Sequence, residues 1–297
     1  MELLQLKYFQ KAAEFENISA AAAYFGIPQP AMSQSIARLE RELDGVKLFD
    51  RKNNRLHLNE NGRVFLHFAR QALQSLEDAR RAVTSDRKEI SGPIRVLALE
   101  NRRLVLSCVS KFAREHQNVN FQVVHDYSDN QDAVYDLCIS SSMAYRQMRH
   151  GQPLIQEKIV LAVYEEHPLA NRERVRLEEL RNEKFITPST RSSIYAVTLE
   201  HCRKAGFEPQ ISFVCDDPYF VRKYISEQMG VAFAPSVSWA GRFRENTRLI
   251  PIENPSMVVT SYLLWDDDRW QSCAVRAFRD FLMQEAQALP GNALQKP

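Results

Sequence analysis

The sequence lacks the residue patterns that most enzyme motifs require. It contains only 9 glycines, and they form no glycine-rich phosphate loop. No H-E-x-x-H or G-x-S-x-G pattern occurs, and the 7 histidines are scattered along the chain. We therefore expect no catalytic residues, no metal ligands and no cofactor. The sequence favours a protein that is not an enzyme.

Long apolar runs and paired cysteines are also lacking. The longest apolar stretches are too short to span a bilayer, and the first residues lack the basic start of a secretory signal. We therefore expect a cytoplasmic protein without a membrane partner. The 5 cysteines contain no C-x-x-C pair, which is typical of reduced, mostly buried thiols. The net charge of +2 does not by itself indicate a nucleic-acid partner, so any DNA affinity must come from the placement of basic side chains.

Apolar residues at helical spacing predict three helices near the N-terminus. The first covers residues 3–15, and the second follows Ser19, which is a good N-cap residue, and ends at Gly26. The third helix, about residues 30–43, begins with Pro30 in its first turn. A stripe with spacings of 4, 3 and 4 predicts its buried face: Met32, Ile36, Leu39 and Leu43.

The opposite face of the third helix is polar. Glutamine can bind adenine through two hydrogen bonds, and Ser33 can reach a base edge or a phosphate. Arg38 lies further along the helix, where a phosphate contact is expected. A structural helix with a solvated polar face would show the same pattern, so the next segment decides between the two interpretations.

That segment predicts a small basic hairpin. Residues 48–51 and 55–58 form two short stretches around Asn53-Asn54, and asparagine tolerates the positive φ of a tight turn. Such a hairpin after a helix-turn-helix is a wing, which would bring Arg51, Lys52 and Arg55 near the DNA backbone. We therefore predict an all-α winged helix-turn-helix domain over residues 1–58.

A long linker helix is predicted next, over residues 59–90. Asn59 is a suitable N-cap, and no proline interrupts the segment. About 28 helical residues would extend about 42 Å, too long for a domain of this size. A heptad pattern of apolar residues favours dimerisation, although an amphipathic helix lying on its own domain remains the alternative. The predicted seam consists of Phe65, Ala69, Ala72, Leu76, Ala79 and Val83.

Residues 91–297 show alternating strand and helix patterns after a break at residues 91–93, which predicts an α/β domain with mainly parallel sheets. Two polar segments follow predicted strands and open predicted helices, where hydroxyls, free backbone N–H groups and a guanidinium could hold a carboxylate. Helix capping with a solvated arginine would explain the same residues. Asp216-Asp217-Pro218 is a third, weaker candidate. The residues predicted to bind a small anion are Glu100, Asn101, Arg102, Ser189, Thr190, Arg191 and Ser192.

Ordered stretches across the chain resemble the LysR-type transcriptional regulators. In the first domain they are residues 6–9 (LKYF), Ser19 with its alanines, 28–36 (PQPAMSQSI), 39–40 (LE) and 48–51 (LFDR). A looser similarity continues through residues 166–170 (EHPLA), 177–180 (LEEL) and 229–235 (MGVAFAP). The resemblance implies a winged helix-turn-helix, a linker helix that pairs two protomers, and a two-lobed α/β effector domain like a periplasmic binding protein.

The resemblance also implies partners and contacts. A double-stranded operator, a second copy of the chain in a homodimer or homotetramer, and a small-molecule effector such as an organic anion are expected, and RNA polymerase is a further candidate partner. By position, Ser19 and Arg51 would touch phosphate. Gln29, Pro30, Ser33 and Gln34 would face bases.

One departure from the family leaves alternatives open. Only the segment 126–136 separates two predicted strands, so a helix that would wall the effector cleft is expected to be short or absent. The chain could then be a ligand-independent regulator, or a redox sensor that uses Cys202 and Cys215. A small-molecule receptor with a vestigial DNA-binding domain is the competing hypothesis.

Overall fold

The computed structural model describes residues 1–52, 55–84, 90–125, 134–141, 150–253 and 257–294. It divides the chain into two units. The first unit comprises Met1–Glu89 with two short additions, Ser128–Tyr135 and Asp268–Ser272. The remaining residues form the second unit. Each unit has its own hydrophobic core.

Three helices build the core of the first unit: α1 (Leu3–Phe15), α2 (Ile18–Phe25) and α3 (Gln29–Glu42). The three predicted helices are confirmed, and the predicted stripe packs inward, with Met32, Ile36 and Leu39 buried. The predicted N-cap of α2 is wrong. Asn17 caps the helix by accepting a hydrogen bond from the Ala20 backbone N–H at 3.1 Å, whereas Ser19 lies within the first turn. Asn17 caps because its own backbone is extended where the helix begins.

The predicted wing is present after α3. Strands β1 (Phe49–Lys52) and β2 (Arg55–Leu58) pair antiparallel, while the turn at residues 53–54 lies outside the described residues. Two carboxylates fix this hairpin to the helices. Buried Glu40 of α3 accepts a hydrogen bond from the Leu48 backbone N–H at 3.0 Å, and Glu16 accepts one from Leu58 N–H at 2.9 Å. The wing is therefore held to both α1 and α3.

The linker helix α4 (Glu60–Thr84) begins where the sequence predicts. The Asn59 side chain accepts a hydrogen bond from the Gly62 backbone N–H at 2.9 Å, which confirms the predicted cap. Residues 85–89, which the prediction included in the helix, lie outside the described residues. At 1.5 Å per residue the helix is about 37 Å long.

The second unit contains two lobes. Its elements in chain order are β3 (Gly92–Ala98), α5 (Arg102–Glu115), β4 (Val119–Val124), β5 (Leu137–Ser140), β6 (His150–Tyr164), a 3-10 helix (Leu177–Leu180), β7 (Lys184–Pro188), α6 (Ser193–Lys204), β8 (Gln210–Cys215), α7 (Pro218–Ser226), β9 (Ala232–Pro235), β10 (Thr247–Pro251), β11 (Val258–Trp265) and α8 (Cys273–Gln287). In the first lobe β3 lies between β4 and β5 and pairs with both in parallel, and α5 and α8 complete its core. In the second lobe β7 and β8 pair in parallel, while β9 and β10 join the end of β6.

Two long strands pass through both lobes. β6 and β11 pair antiparallel from Lys158 opposite Val258 to His150 opposite Trp265, with a register shift between Ser261 and Tyr262. Leu154 of β6 belongs to the core of the first lobe, and Leu161 belongs to the core of the second. The predicted predominance of parallel pairing is wrong, because β11 returns against β6 and because β9 and β10 add antiparallel to β6.

Of the helices that the structure describes, none is both long enough and apolar enough to cross a bilayer. The segment 126–133, which makes up most of the short connection noted in the sequence, lies outside the described residues. The expectation of a shortened cleft wall therefore stays a prediction.

We predict that Gly62→Ala destabilises the first unit. A Cβ atom at Gly62 would overlap the carbonyl oxygen of Leu48 and a methyl group of Leu58. Because one obstacle is backbone, the first turn of α4 would have to move away from the wing. We expect the free energy of unfolding to fall by about 1–3 kcal/mol, as for other overpacked sites. Urea unfolding of the full chain measures the change.

Asn61→Ala serves as the matched control, since Asn61 is the exposed neighbour of Gly62 on the same helix. Its effect should stay within about 0.5 kcal/mol. Equal stabilities for the two variants would show that α4 does not press on the wing as described.

Candidate DNA interface and effector cleft

The exposed face of α3 carries the predicted base-reading residues. Gln29, Pro30 and Gln34 are exposed, and Ser33 is half-buried. The Gln29 side-chain amide donates a hydrogen bond to the Ser33 hydroxyl at 2.9 Å, so the two side chains are held together on the first turns of the helix. Because the buried stripe fixes the opposite face, this polar surface has one orientation on the domain.

Arg38 differs in its surroundings from the other polar residues of α3. Its guanidinium forms ion pairs with Glu2 at 3.1 Å and with Glu42 at 3.2 Å. Both pairs are solvent-exposed, and such pairs contribute only about 0–1 kcal/mol. A phosphate could therefore replace the carboxylates, but Arg38 is already neutralised within the domain.

The wing presents Arg51 to solvent on β1. The side chains of Lys52 and Arg55 lie outside the described residues, so their predicted contacts stay predictions. Ser19 is exposed in the first turn of α2, where backbone N–H groups of a helix start point outward. The structure thus exposes Ser19 and Arg51, the two residues predicted to contact phosphate.

The helix α4 has two distinct apolar faces. Phe65, Leu66 and Ala69 pack on the core of the first unit. A separate stripe is exposed, and within it Phe68 is 62% and Val83 83% exposed. The exposed stripe consists of Val64, Phe68, Ala72, Leu76, Ala79 and Val83. Two residues of the predicted seam, Phe65 and Ala69, therefore pack into the core of their own domain. The exposed stripe begins instead with Val64 and Phe68.

A cleft of about 430 Å³ opens in the second unit. The ends of β3 and β7 and the starts of α5, α6 and α7 surround it. The structure thus brings the two predicted polar segments together, with Glu100, Asn101, Arg102, Ser189, Arg191 and Ser192 in the lining. Thr190 is exposed and lies outside the lining.

Several of these side chains are engaged by the protein itself. Ser192 caps α6 by accepting a hydrogen bond from Tyr195 N–H at 3.1 Å, and the Asn101 amide donates to the Ser261 hydroxyl. Arg102 pairs with Asp217 at 3.3 Å and donates to the carbonyl of His125 at 2.7 Å. The capping interpretation therefore applies to Ser192, and Arg102 is not a solvated arginine.

Comparisons with known proteins agree over both parts of the chain. A family model described as a bacterial regulatory helix-turn-helix protein of the lysR family matches residues 3–63. A second model, the LysR substrate binding domain, matches residues 87–287 and thus most of the chain. The chain belongs to the LysR family of transcriptional regulators. It is a DNA-binding regulator with an effector-binding domain and is not an enzyme.

Curated relatives match this LysR-type regulator over nearly its whole length. The transcriptional dual regulator GltC of Bacillus subtilis (strain 168) is 29% identical over 293 residues, which cover 96% of this chain and 97% of GltC. The HTH-type transcriptional regulator ShiR of Corynebacterium glutamicum (strain R) is 30% identical over 277 residues, which cover 89% of this chain and 92% of ShiR.

Solved structures share the fold. A full-length OxyR variant from Pseudomonas aeruginosa superposes with a TM-score of 0.76 at 17% identity, covering 100% of this chain and 99% of that one. Full-length CbnR in complex with its target DNA gives a TM-score of 0.67 at 21% identity, covering 96% of this chain and 100% of CbnR. These likenesses establish a winged helix-turn-helix followed by a two-lobed α/β domain.

Two desolvated carboxyl groups lie at the cleft of the regulator or directly behind its wall. Burial raises the pKa of the Glu100 carboxyl, against the lowering effect of hydrogen bonds from Ser193 and Ser141. The hydroxyls of these serines donate to the same oxygen of Glu100 at 3.0 and 3.2 Å. Since Ser141 follows β5 and Ser193 opens α6, Glu100 bridges the two lobes. Its carboxyl therefore lies at a contact between the two lobes.

A second buried carboxyl supports the cleft wall. Glu157 of β6 is only 4% exposed and accepts hydrogen bonds from the backbone N–H groups of Val237 and Ser238 at 2.6 and 2.9 Å. Burial raises its pKa as well, while the bonds from Ser238 and Val237 lower it. These contacts fix the turn after β9, including Trp239 in the cleft lining.

The lining also contains residues that the sequence did not predict, among them Arg103, Arg222, Trp239 and Arg242. Three of them lie more than 100 positions beyond the Glu100 segment, so no local pattern joins them to it. The weaker candidate Asp216-Asp217-Pro218 does line the cleft, and Arg222 follows it on α7. That candidate was the one available signal for this wall.

The cysteines of the regulator are mostly buried, as predicted. Only Cys273 is half-exposed. Burial raises the pKa of Cys202 to about 12 and also raises that of Cys215. A redox sensor needs an accessible thiolate, so the surroundings of these two residues oppose the redox hypothesis.

We predict that Glu100→Gln removes a pH-dependent loss of stability. A raised pKa in the folded state means that Glu100 contributes stability below its ordinary value of 4.5 and loses it as the pH rises through the folded-state pKa. Glutamine keeps an oxygen that accepts from both serines and carries no charge. The variant and the native chain should therefore have similar thermal midpoints at the acidic end, and the variant should be more stable at about pH 7.5.

Thermal unfolding across this pH range measures the difference, and Glu115→Gln, at an exposed site on α5, is the control. If the difference in thermal midpoint between the native chain and Glu100→Gln were the same at every pH, the folded state would not raise the pKa of the Glu100 carboxyl.

Proposed function

We propose that this regulator binds a two-fold operator as a dimer and that a small anion in the cleft controls it. The observation that carries the proposal is the surface of α3. Met32, Ile36 and Leu39 anchor one face, while Gln29 and Gln34 project from the other. A helix held in this way can enter the major groove with its N-terminal half, where Gln29 and Gln34 would read bases.

Phosphate contacts would come from elements around α3. Ser19 at the start of α2 and Arg51 on the wing would bind the backbone on either side of the groove, with Arg38 after exchange of its carboxylate partners. Pro30 and Ser33 would complete the base-facing surface. A vestigial DNA-binding domain is a weaker hypothesis, because this surface keeps exposed polar groups and its basic wing residue.

Pairing of two protomers would use the exposed stripe of α4. A contiguous exposed apolar stripe is unusual on a monomer and would be an interaction site. The alanines at positions 72 and 79 would let a second helix approach closely. A two-fold dimer would then present two α3 helices to a two-fold operator. Association of dimers into tetramers and contact with RNA polymerase are further proposals.

The effector would bind in the cleft as an organic anion. Helix starts and arginines converge there, and both features favour negative charge. A volume of about 430 Å³ is in the range of small-molecule sites. Contacts from the lining residues of both lobes would let a ligand shift the balance between two states of the regulator.

We predict different DNA-binding defects for Gln29→Ala and Arg51→Ala. Loss of a base-reading side chain should relax the preference among operator variants, because discrimination by a bidentate pair is worth about 1–3 kcal/mol. Loss of a phosphate contact should weaken all sequences alike and lower the slope of log affinity against log salt by about one. Gel-shift titration on the upstream region of the regulator's own gene, and on its single-base variants, measures both.

Arg174→Ala is the control for the charge change, since Arg174 is exposed in the second unit. It should leave affinity and salt slope unchanged. If Gln29→Ala kept the full preference among operators, Gln29 would not read a base. If the native chain bound no sequence preferentially, the proposed function would fail.

We predict that Leu76→Gln weakens the dimer. Leu76 is exposed in the stripe, and pairing would bury it in both copies. Burial of one leucine is worth about 1.5–3 kcal/mol, so the dimer dissociation constant should rise at least about tenfold. Sedimentation velocity over a concentration series measures it.

The neighbouring Glu77→Gln is the control, because Glu77 lies outside the stripe and pairs with Arg80. It should leave the dissociation constant unchanged. If the native chain and Leu76→Gln had the same dimer dissociation constant, the exposed stripe would not form the dimer interface.

A further inference from the structure

The arginines of the cleft differ in whether their guanidinium groups have hydrogen-bond or ion-pair partners within the protein. Arg102 has a carboxylate and a carbonyl as partners, and Arg103 donates to the carbonyl oxygen of Ala240. These two guanidinium groups tie the start of α5 to the second lobe. They are therefore occupied by structural contacts.

Arg222 and Arg242 are not occupied in this way. Within the part of the chain that the structure describes, neither guanidinium forms an ion pair or donates a hydrogen bond, while the backbone N–H of Arg242 donates to the Trp239 carbonyl at 3.2 Å. The Arg222 guanidinium lies over the ring of Trp239 at 5.4 Å, and that contact leaves its N–H edges open. Both arginines line the cleft.

The two groups are close enough to affect each other. Burial lowers the pKa of Arg222, Asp217 raises it, and Arg242 lowers it. Asp217 already pairs with Arg102, so a single carboxylate is shared by two guanidiniums, those of Arg102 and Arg222. Desolvation next to another cation is unfavourable, and a bound anion would relieve it.

The platform under Arg222 is held firmly. Trp239 is almost fully buried, and Glu157 fixes the backbone N–H groups of the two residues before it. Arg222 itself projects from α7, whose start Asp217 caps by accepting from Tyr219 N–H at 2.6 Å. The guanidinium is therefore preorganised by a helix and a fixed turn, which lowers the entropic cost of binding.

Charge in the lining indicates the valence of the ligand. The lining contains five arginines, at positions 102, 103, 191, 222 and 242, and three acids: Asp216, Asp217 and the half-buried Glu100. Even with all three acids ionised, two positive charges remain uncompensated. A monoanion would leave one of them unneutralised in a partly buried site.

We propose that Arg222 and Arg242, on the Trp239 platform, form the subsite that recognises an effector with two or more negative charges. The inference rests on the proposed function, because it names the chemical class of effector for the same cleft. Carboxylate and phosphate groups share the chemistry that two guanidiniums bind, namely oxygen acceptors carrying multiple charges. The subsite favours anionic effectors over neutral and cationic ones.

Thermal-shift titration of the full chain with citrate, with inorganic phosphate and with acetate tests the proposal, at an ionic strength held constant with chloride. Citrate, phosphate or both should raise the midpoint saturably, while acetate at equal concentration should not. The two polyanions distinguish a carboxylate from a phosphate ligand. Arg222→Gln and Arg242→Gln should each raise the apparent dissociation constant at least about tenfold.

Arg174→Gln is the matched control, since it removes the same charge from an exposed site of the second lobe outside the lining. Arg242 is exposed, so Arg242→Gln keeps the test valid if Arg222→Gln is unstable. The proposal is overturned if neither polyanion stabilises the native chain, or if both cleft variants respond like Arg174→Gln. Operator binding by gel shift in the same preparations tests the proposed function separately.

Discussion

The antiparallel pairing of β6 with β11 is the constraint on which the second unit depends. Backbone hydrogen bonds run along this pair from one lobe into the other, so both lobes share a single two-stranded connection. Each strand also carries a side chain that supports the cleft. Glu157 on β6 holds the turn that carries Trp239, and Ser261 on β11 receives the Asn101 amide. Both walls of the cleft are therefore anchored to the same pair of strands, and the geometry of that pair sets the distance between the walls.

Much of the first unit could be predicted because its signals are local. The spacing of Met32, Ile36 and Leu39 fixes which face of α3 is buried, and Asn59 marks the start of α4. The N-cap of α2 was missed because Asn17 and Ser19 have similar capping propensity, and only the end of α1 decides between them. The faces of α4 were misassigned in part, since periodicity cannot tell which apolar residues a domain keeps for its own core.

Less of the second unit and its site could be predicted, because the decisive contacts join distant residues. The segments at Glu100 and Ser189 could be found, since each follows a strand and opens a helix. Arg222, Trp239 and Arg242 come together only through the turn that Glu157 fixes. The extent of parallel pairing was overestimated because the first half of β6, which contains Gly151 and Pro153, has no strand-like alternation in the sequence. This half of β6 pairs antiparallel with β11. Arg38 shows a related difficulty, because its partner Glu2 lies on another element.

The register shift between Ser261 and Tyr262 has a consequence for how the chain tolerates changes in length. Side chains of a strand alternate between its two faces, and a bulge resets that alternation at one point. Here the reset lies between the half of β11 that ends at Ser261 and the half that contributes Leu263 and Trp265 to one core. Deletion of one residue at this point would move Leu263 to the opposite face of the strand and would likewise exchange the faces of the residues after it. Insertions and deletions should therefore accumulate in the connections of this domain and be absent from the middle of β11.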